Sequence, residues 1–216
     1  MIVDERMSAF INSFASQNSA KLDELEQFSI ETNVPIVRKE MQSLMKFLLA
    51  QKKPRNILEV GCAIGFSAIL MAENTSLETH ITTIEKYEKR IPVAKENFAK
   101  FGLGDRVTLL EGDATEILQG LEGSFDFIFM DAAKGQYINF YPEVMRLLAP
   151  GGILLSDNVM QDGDILESKF AVERRNRTIY KRMRDYLYEM THNPQLVTVI
   201  LPVGDGVTIS VKKETV

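Results

Sequence analysis

The chain has 216 residues, 45% of them hydrophobic and 25% charged, and its net charge is −5. This composition is ordinary for a globular protein, and the length suits one domain. No apolar run approaches the roughly 18 residues that span a bilayer, and residues 1–6 lack a signal-peptide pattern, so we expect a cytoplasmic protein without a membrane partner. One cysteine and two histidines exclude an internal disulfide and a closed zinc site. The acidic balance disfavours non-specific nucleic-acid binding by the whole surface, although a local basic patch stays open.

Apolar spacing predicts helices over residues 1–52, and from residue 56 short β-rich runs alternate with helical segments. That alternation is typical of a mostly parallel sheet with helices on both faces. The turn Gly204-Asp205-Gly206 favours a hairpin, so the last strand should run antiparallel. We therefore predict one α/β domain over 1–216, with an N-terminal helical extension at 1–52 and a doubly wound, Rossmann-like seven-stranded core at 53–216. The predicted strands are 56–60, 79–84, 107–111, 125–130, 151–156, 196–201 and 206–212, with a long helix near 170–191.

A glycine turn follows the first predicted strand, where residues 59–65 read Glu-Val-Gly-Cys-Ala-Ile-Gly. Glycines permit close backbone approach to a ligand, and the start of the next helix offers free N–H groups to a carboxylate. A plain strand-to-helix turn is the alternative interpretation. A dinucleotide fingerprint would need glycines where Ala63 and Phe66 stand, which counts against an NAD-dependent oxidoreductase.

Acidic residues follow the next two predicted strands. Glu85 ends the second strand, where an acid can accept both hydroxyls of a ribose. Asp113 and Ala114 follow the third strand. Taken singly, Glu85 could be an exposed acid and Asp113 an ordinary helix cap. Three such signals at the ends of three consecutive strands favour a nucleotide-containing cofactor at this edge of the sheet.

Oxygen donors follow the fourth and fifth predicted strands. Asp131 and Lys134 come after the fourth strand, and Asp157 and Asn158 after the fifth. Adjacent parallel strands bring their ends within about 5 Å, so these side chains can converge. Three oxygen donors suit Mg²⁺ or another hard divalent cation. A single aspartate at a strand end is usually a turn former, but the combination favours a metal site.

Together these motifs resemble the metal-dependent O-methyltransferases, the family that includes the catechol and caffeoyl-CoA methyltransferases. The resemblance runs from Val34-Pro35-Ile36 to the turn at 202–206. It implies transfer of a methyl group from S-adenosylmethionine to an oxygen that the metal orients and acidifies. The residues that it places around the cofactor are Val37, Glu59, Gly61, Cys62, Ser67, Glu85, Asp113, Ala114 and Asp131.

For the metal, the same resemblance implies Asp131, Asp157 and Asn158 as ligands, with Mg²⁺ or another divalent cation bound. It makes Asp131 and Lys134 the catalytic residues, with Lys134 as the base, while a solvated lysine paired with Asp131 is the alternative. Val37 stands where relatives often have Met or Thr, which matters little if the contact is through the backbone. Relatives in this family form dimers, so we expect a homodimer, for which the apolar N-terminal helices could supply the interface.

The helix predicted near 170–191 bears on the methyl acceptor. Its basic residues are Arg174, Arg177, Lys181 and Arg184 on one face, with Arg175 and Arg182 beside them. Such a face is either solvated or a phosphate-binding surface. At this level the chain is similar to the bacterial tRNA 5-hydroxyuridine methyltransferases, which implies tRNA as partner. A small substrate with vicinal oxygens, such as a catechol, is the alternative, and a non-catalytic cofactor-binding RNA module is a third interpretation.

Overall fold

The computed structural model describes residues 3–214 and contains eight α-helices and seven strands within that range. The helices are α1 (Glu5–Asn12), α2 (Ala20–Glu31), α3 (Lys39–Lys52), α4 (Phe66–Glu73), α5 (Ile91–Lys100), α6 (Ala114–Gly120), α7 (Tyr137–Leu147) and α8 (Arg177–His192). The strands are β1 (Asn56–Val60), β2 (His80–Glu85), β3 (Val107–Glu111), β4 (Phe125–Met130), β5 (Leu148–Ser156), β6 (Leu196–Leu201) and β7 (Val207–Lys212). Among these helices, none is long and apolar enough to cross a membrane.

The strands form one sheet in the order β3-β2-β1-β4-β5-β7-β6. Strands β1 to β5 pair in parallel, and β7 pairs antiparallel with both β5 and β6. The predicted Rossmann-like sheet, with N-terminal helices and an antiparallel last strand, is therefore confirmed. The strand order reverses between β1 and β4, where a doubly wound sheet opens a cleft at the carboxyl ends of its strands.

Both faces of the sheet are covered, which explains why its central strands contain long apolar runs. In β4, Phe127 and Phe129 face a core built with α3 and α4, whereas Ile128 and Met130 face a core built with α7 and α8. This alternation follows from the two-residue period of a strand. All four side chains are fully buried, so the polar residue that follows them is held at a fixed place on the edge of the sheet.

Several element boundaries differ from the predicted ones. The predicted helix at 170–191 begins only at Arg177, after a 3-10 turn over Arg174–Asn176. Before it, Gln161–Leu166 form 3-10 turns in which Asp162 has φ 53° and Gly163 has φ 97°, values that no α-helix accommodates. Strand β5 begins three residues earlier than predicted, and β2 extends to Glu85.

Candidate active site

The glycine turn brings the ends of β1 and β4 into direct backbone contact. Gly61 has φ 106°, and a Cβ atom there would lie 2.1 Å from the carbonyl oxygen of Asp131. Gly65 has φ 88° and precedes α4, where a Cβ atom would lie 2.7 Å from the Phe98 ring. Neither position tolerates a side chain, so the turn requires glycine for both conformation and space.

Residues of this turn and of the neighbouring strand ends line a cleft of about 760 Å³, a size typical of sites for small molecules and cofactors. The structure places eight of the predicted cofactor residues on its wall, namely Val37, Gly61, Cys62, Ser67, Glu85, Asp113, Ala114 and Asp131. The N-terminal segment also contributes Ile36 and Arg38, and the β2–α5 loop contributes Tyr87 and Arg90. Of these four, Ile36 belongs to the segment where the family resemblance begins, and the other three carry no motif that identified them in the sequence.

Glu85 is buried and organises the backbone of the cleft. Its Oε2 atom accepts the Ala63 N–H at 2.7 Å, and its Oε1 atom accepts the N–H groups of Lys86 and Tyr87 at 2.9 and 2.7 Å. One carboxylate therefore ties the glycine turn to the loop after β2. Asp113 caps α6 by accepting the Thr115 N–H at 2.8 Å, as the capping alternative predicted, although it also lines the cleft.

Glu59 is fully buried and lies beneath the cleft, not among the residues that line it. The Thr83 hydroxyl donates to its Oε2 atom, while its Oε1 atom has no hydrogen-bond partner. Burial raises the pKa of Glu59 to about 7. An unpaired buried carboxylate oxygen is costly, which makes Glu59 a candidate acceptor for a positively charged group entering from the cleft.

The predicted metal ligands are brought to the same cleft by the register of two strands. Met130 of β4 pairs with Ser156 of β5, so Asp131 and Asp157 follow the last paired residues side by side. Asp131, Asp157 and Asn158 all line the cleft. Asn158 has φ 56° and donates its backbone N–H to Asp157 Oδ1 at 2.7 Å. The convergence that the sequence predicted is therefore present.

The two carboxylates share a desolvated environment. Burial raises the pKa of Asp131 to about 6 against the opposing charge of Lys134. Burial and the negative charge of Asp131 raise the pKa of Asp157 to about 7. Within residues 3–214 neither forms an ion pair, and no cluster of three or more His, Cys, Asp or Glu side chains is placed to hold a metal. Two adjacent carboxylates and one amide nevertheless fit a divalent cation that keeps several waters.

The amino group of Lys134 forms an ion pair with Asp205 at 3.1 Å. The sequence suggested Asp131 as the partner in a solvated ion pair, so that alternative names the wrong acid. Asp205 is 3% exposed, and its other oxygen accepts the Asp162 N–H at 2.6 Å. It thereby joins the Lys134 turn, the β6–β7 hairpin and the segment after β5. The sequence showed Asp205 only as part of a turn, because its partner lies 71 residues away.

The basic residues of the helix predicted near 170–191 do not form one free face. Arg177 donates to the carbonyl oxygen of Val172, Arg182 to Gly135 and Arg184 to Ile165, at 3.1, 3.1 and 3.2 Å. Arg175 pairs with Glu173 at 2.7 Å. These arginines therefore stabilise the fold around α8, which the helical spacing did not reveal. Lys181 is exposed and shares a shallow groove with Lys169, Arg177, Arg182 and one acidic residue, Asp185.

Comparison with known proteins identifies the family. Residues 12–213 match the O-methyltransferase family model. Caffeoyl-CoA O-methyltransferase 1 of Eucalyptus globulus is 29% identical over 190 residues, which cover 82% of this chain and 74% of that protein. The catechol O-methyltransferase of Niastella koreensis is 38% identical over 125 residues, 56% of this chain and 57% of that protein.

A solved structure agrees in fold and extent. The S-adenosylhomocysteine-bound methyltransferase PaMTH1 of Podospora anserina is 31% identical, with a TM-score of 0.87, and the match covers 97% of this chain and 95% of that chain. The prediction of an S-adenosylmethionine-dependent O-methyltransferase is confirmed by these matches. With nearly its whole length matched, the chain belongs to the O-methyltransferase family.

Proposed function

We propose that this enzyme transfers the methyl group of S-adenosylmethionine to one of two adjacent oxygens of an acceptor, with a divalent cation held by Asp131, Asp157 and Asn158. The observation that carries the proposal is the meeting of these side chains with the glycine turn in one cleft. When bound, the cation would lower the pKa of the acceptor hydroxyl and fix its orientation. The methyl donor is already activated as a sulfonium, so the protein has chiefly to align the two reactants.

The cleft contains groups suited to each part of this cofactor. Beneath the cleft wall, the unpaired oxygen of Glu59 is a candidate partner for the ammonium of the methionine moiety, and the N–H groups at the start of α4 suit its carboxylate. Glu85 is the candidate acceptor for the ribose hydroxyls, although its oxygens already accept three backbone N–H groups. Val37, Cys62, Ser67, Asp113 and Ala114 would complete the wall.

Glu85→Ala should weaken binding of S-adenosylhomocysteine by about 1–3 kcal/mol, because hydrogen bonds to a charged group are lost. Isothermal titration calorimetry measures this change. An analogue without the 2′-hydroxyl separates ribose contact from damage to the glycine turn. If Glu85 binds the ribose, the substitution should affect the analogue less than the intact ligand. An equal loss for both ligands would remove Glu85 from the ribose site.

We assign Lys134, acting in its neutral form, as the base that removes the acceptor proton; the resulting ammonium is the form that pairs with Asp205. Lys134 lies at the start of the turn after β4, on the wall of the cleft, with its side chain 32% exposed. Asp205, 3.1 Å away, fixes the position of its amino group. A positioned lysine within reach of the acceptor oxygen contributes roughly two to four orders of magnitude in rate as an acid–base group.

For the acceptor, we propose 5-hydroxyuridine at the wobble position of tRNA, which methylation converts to 5-methoxyuridine. Its 5-hydroxyl and 4-carbonyl are vicinal oxygens, so they can chelate a cation as a catechol does. An anticodon-loop base is readily unstacked. Arg182, which lines the groove with Lys169 and Lys181, donates to the carbonyl oxygen of Gly135, the residue after Lys134. This proximity supports phosphate contacts beside the reaction centre.

The second candidate acceptor is a small molecule with vicinal oxygens. The relatives favour it, because they include a caffeoyl-CoA O-methyltransferase and a catechol O-methyltransferase. The same cleft and the same metal ligands would serve both acceptors. A neutral catechol has no group for the groove of Lys169 and Lys181 to bind, whereas the phosphates of tRNA or of a CoA ester could bind there, so the groove separates charged acceptors from catechols.

Reversal of two exposed charges, Lys169→Glu with Lys181→Glu, should raise the KM for tRNA by about tenfold. Neither lysine forms an ion pair or a side-chain hydrogen bond with a described residue, so the substitutions break no such interaction. Each phosphate contact removed should also lower the salt slope of binding by about 1. Filter binding and steady-state kinetics with 5-hydroxyuridine tRNA measure both quantities.

The matched control is Lys21→Glu with Lys53→Glu, which changes the net charge equally at exposed sites outside the groove. The control should retain the tRNA affinity of the natural protein. If both double variants bind tRNA equally well, the groove does not contact RNA. Turnover of a small catechol should be the same in all these proteins.

We further propose that the enzyme is a cytoplasmic homodimer. Helix α1 has no buried residue, and its side chains Phe10 and Phe14 are 67% and 76% exposed. Phe47 of α3 is 66% exposed. Several large exposed apolar side chains in one N-terminal region are typical of an association surface. The one cysteine, Cys62, is buried as a free thiol, which suits a reducing compartment.

A further inference from the structure

Tyr137 is a fully buried side chain directly beneath the predicted metal ligands. It begins α7, three residues after Lys134, where the chain turns back under the sheet. Its ring packs edge-on against Tyr186, with the ring centroids 5.5 Å apart. The packing fixes the direction of the Tyr137 hydroxyl, which points at the ends of β4 and β5.

The hydroxyl of Tyr137 lies 3.1 Å from the carbonyl oxygen of Met130 and 3.0 Å from that of Asp157. Met130 also accepts the Asp157 N–H at 3.0 Å, which is the last backbone hydrogen bond between the two strands. One phenol hydrogen thus serves two carbonyl oxygens just where the regular pairing stops. The tyrosine thereby connects β4 and β5 one residue beyond their last backbone hydrogen bond, next to Asp131 and at Asp157.

The two hydrogen bonds of Tyr137 oppose an electrostatic repulsion between the strand ends. Asp131 and Asp157 are like-charged when ionised and lie on adjacent strand ends in a desolvated cleft, so they repel one another. Repulsion would separate the strand ends at the point where backbone pairing no longer holds them.

We propose that Tyr137 is a positioning residue, which holds the main chain of Asp131 and Asp157 at the separation that a divalent cation requires. Its side chain is fully buried and is not among the residues that line the cleft. Partners that orient metal ligands typically contribute ten- to a hundredfold to metal affinity. The inference rests on the metal site of the proposed function and adds to it the residue that preorganises the site.

The test is a titration of the protein with Mn²⁺ alone. The electron paramagnetic resonance signal of the free ion measures how much Mn²⁺ stays unbound. We expect Tyr137→Phe to raise the Kd for Mn²⁺ at least about tenfold. The substitution removes one oxygen and keeps the ring, so the variant should fold, which circular dichroism verifies. The matched control is Tyr186→Phe, which also removes one buried hydroxyl from the aromatic pair, but one that contacts the side chain of Ser156 at 2.6 Å. The control should bind Mn²⁺ as the natural protein does.

Wild-type Mn²⁺ affinity in Tyr137→Phe would overturn the inference, and so would equal weakening in both variants, which reports a general loss of packing. A natural protein that binds no Mn²⁺ would instead overturn the proposed metal site, and this inference with it. Weakening confined to Tyr137→Phe, with similar urea stability of the two variants, supports the positioning role.

Discussion

Asp157→Asn should reduce methyl transfer at least about a hundredfold while leaving the metal-free protein at least as stable as the natural one. The carboxylate is 5% exposed and faces a second acid, so its charge destabilises the fold unless a cation neutralises it. The amide keeps the shape and the oxygen that accepts the Asn158 N–H. Turnover with either acceptor, with and without EDTA, measures the loss.

The pH dependence of stability tests whether the charge of Asp157 destabilises the metal-free protein. The folded pKa values of Asp131 and Asp157, about 6 and about 7, lie above the ordinary value of 3.8, so the folded state binds more protons than the unfolded state between about pH 4 and 7. Stability of the metal-free protein should therefore fall as the pH rises through that window. Asp157→Asn should flatten the fall by at least about 1 kcal/mol. Glu59, with a pKa of about 7, keeps a residual slope in both proteins.

Asp126→Asn is the matched control. Asp126 accepts the N–H groups of Arg55 and Asn56 at 2.8 and 3.0 Å, outside the cleft. This variant should lose stability and retain turnover, the opposite of Asp157→Asn. Full activity of Asp157→Asn, or of EDTA-treated enzyme, would refute the metal site.

Gly61→Ala should destabilise the protein by several kcal/mol and abolish measurable binding of S-adenosylhomocysteine. A methyl group there would lie 2.1 Å from a backbone oxygen of Asp131, which cannot move without shifting β4. Overpacking in a rigid core typically costs about 1–3 kcal/mol, and the positive φ adds about 1–2 kcal/mol. Urea unfolding and calorimetry measure the two losses.

Gly123→Ala separates these two causes. Gly123 has φ 108°, nearly the 106° of Gly61, but a Cβ atom there meets nothing within 4 Å. It should therefore show only the conformational cost and bind the cofactor normally. If the two variants lose equal stability, the close contact between the glycine turn and β4 is not tight in solution.

The parts of the fold that the sequence predicts well are those with local, periodic signals. Strands β1, β3, β4 and β6 are observed at their predicted bounds because buried apolar runs with polar ends mark them clearly. The start of β5 was missed, since Pro150 and Gly151 suggest a turn while the strand continues with an irregular register against β4. The start of α8 was missed because basic and apolar residues keep helical spacing through a segment whose backbone is not helical.

The site residues also fall into those that the sequence predicts and those that it does not. Asp131 and Asp157 were predictable, because residues that end adjacent parallel strands must meet at one edge. The partner of Lys134 was not, because Asp205 arrives on a hairpin whose position depends on β7 inserting between β5 and β6. Tyr137 gave no signal either, since its role lies in two hydrogen bonds to backbone carbonyls, which have no sequence pattern.

The contact between Gly61 and the carbonyl of Asp131 has a thermodynamic consequence. The glycine turn, which we propose holds the cofactor, packs directly against the backbone of Asp131, the first proposed metal ligand. No side chain lies between them. A ligand that orders either partner therefore removes part of the conformational freedom of the other. We therefore expect the cofactor and the proposed cation to bind cooperatively, and linkage requires each to increase the affinity for the other by the same factor.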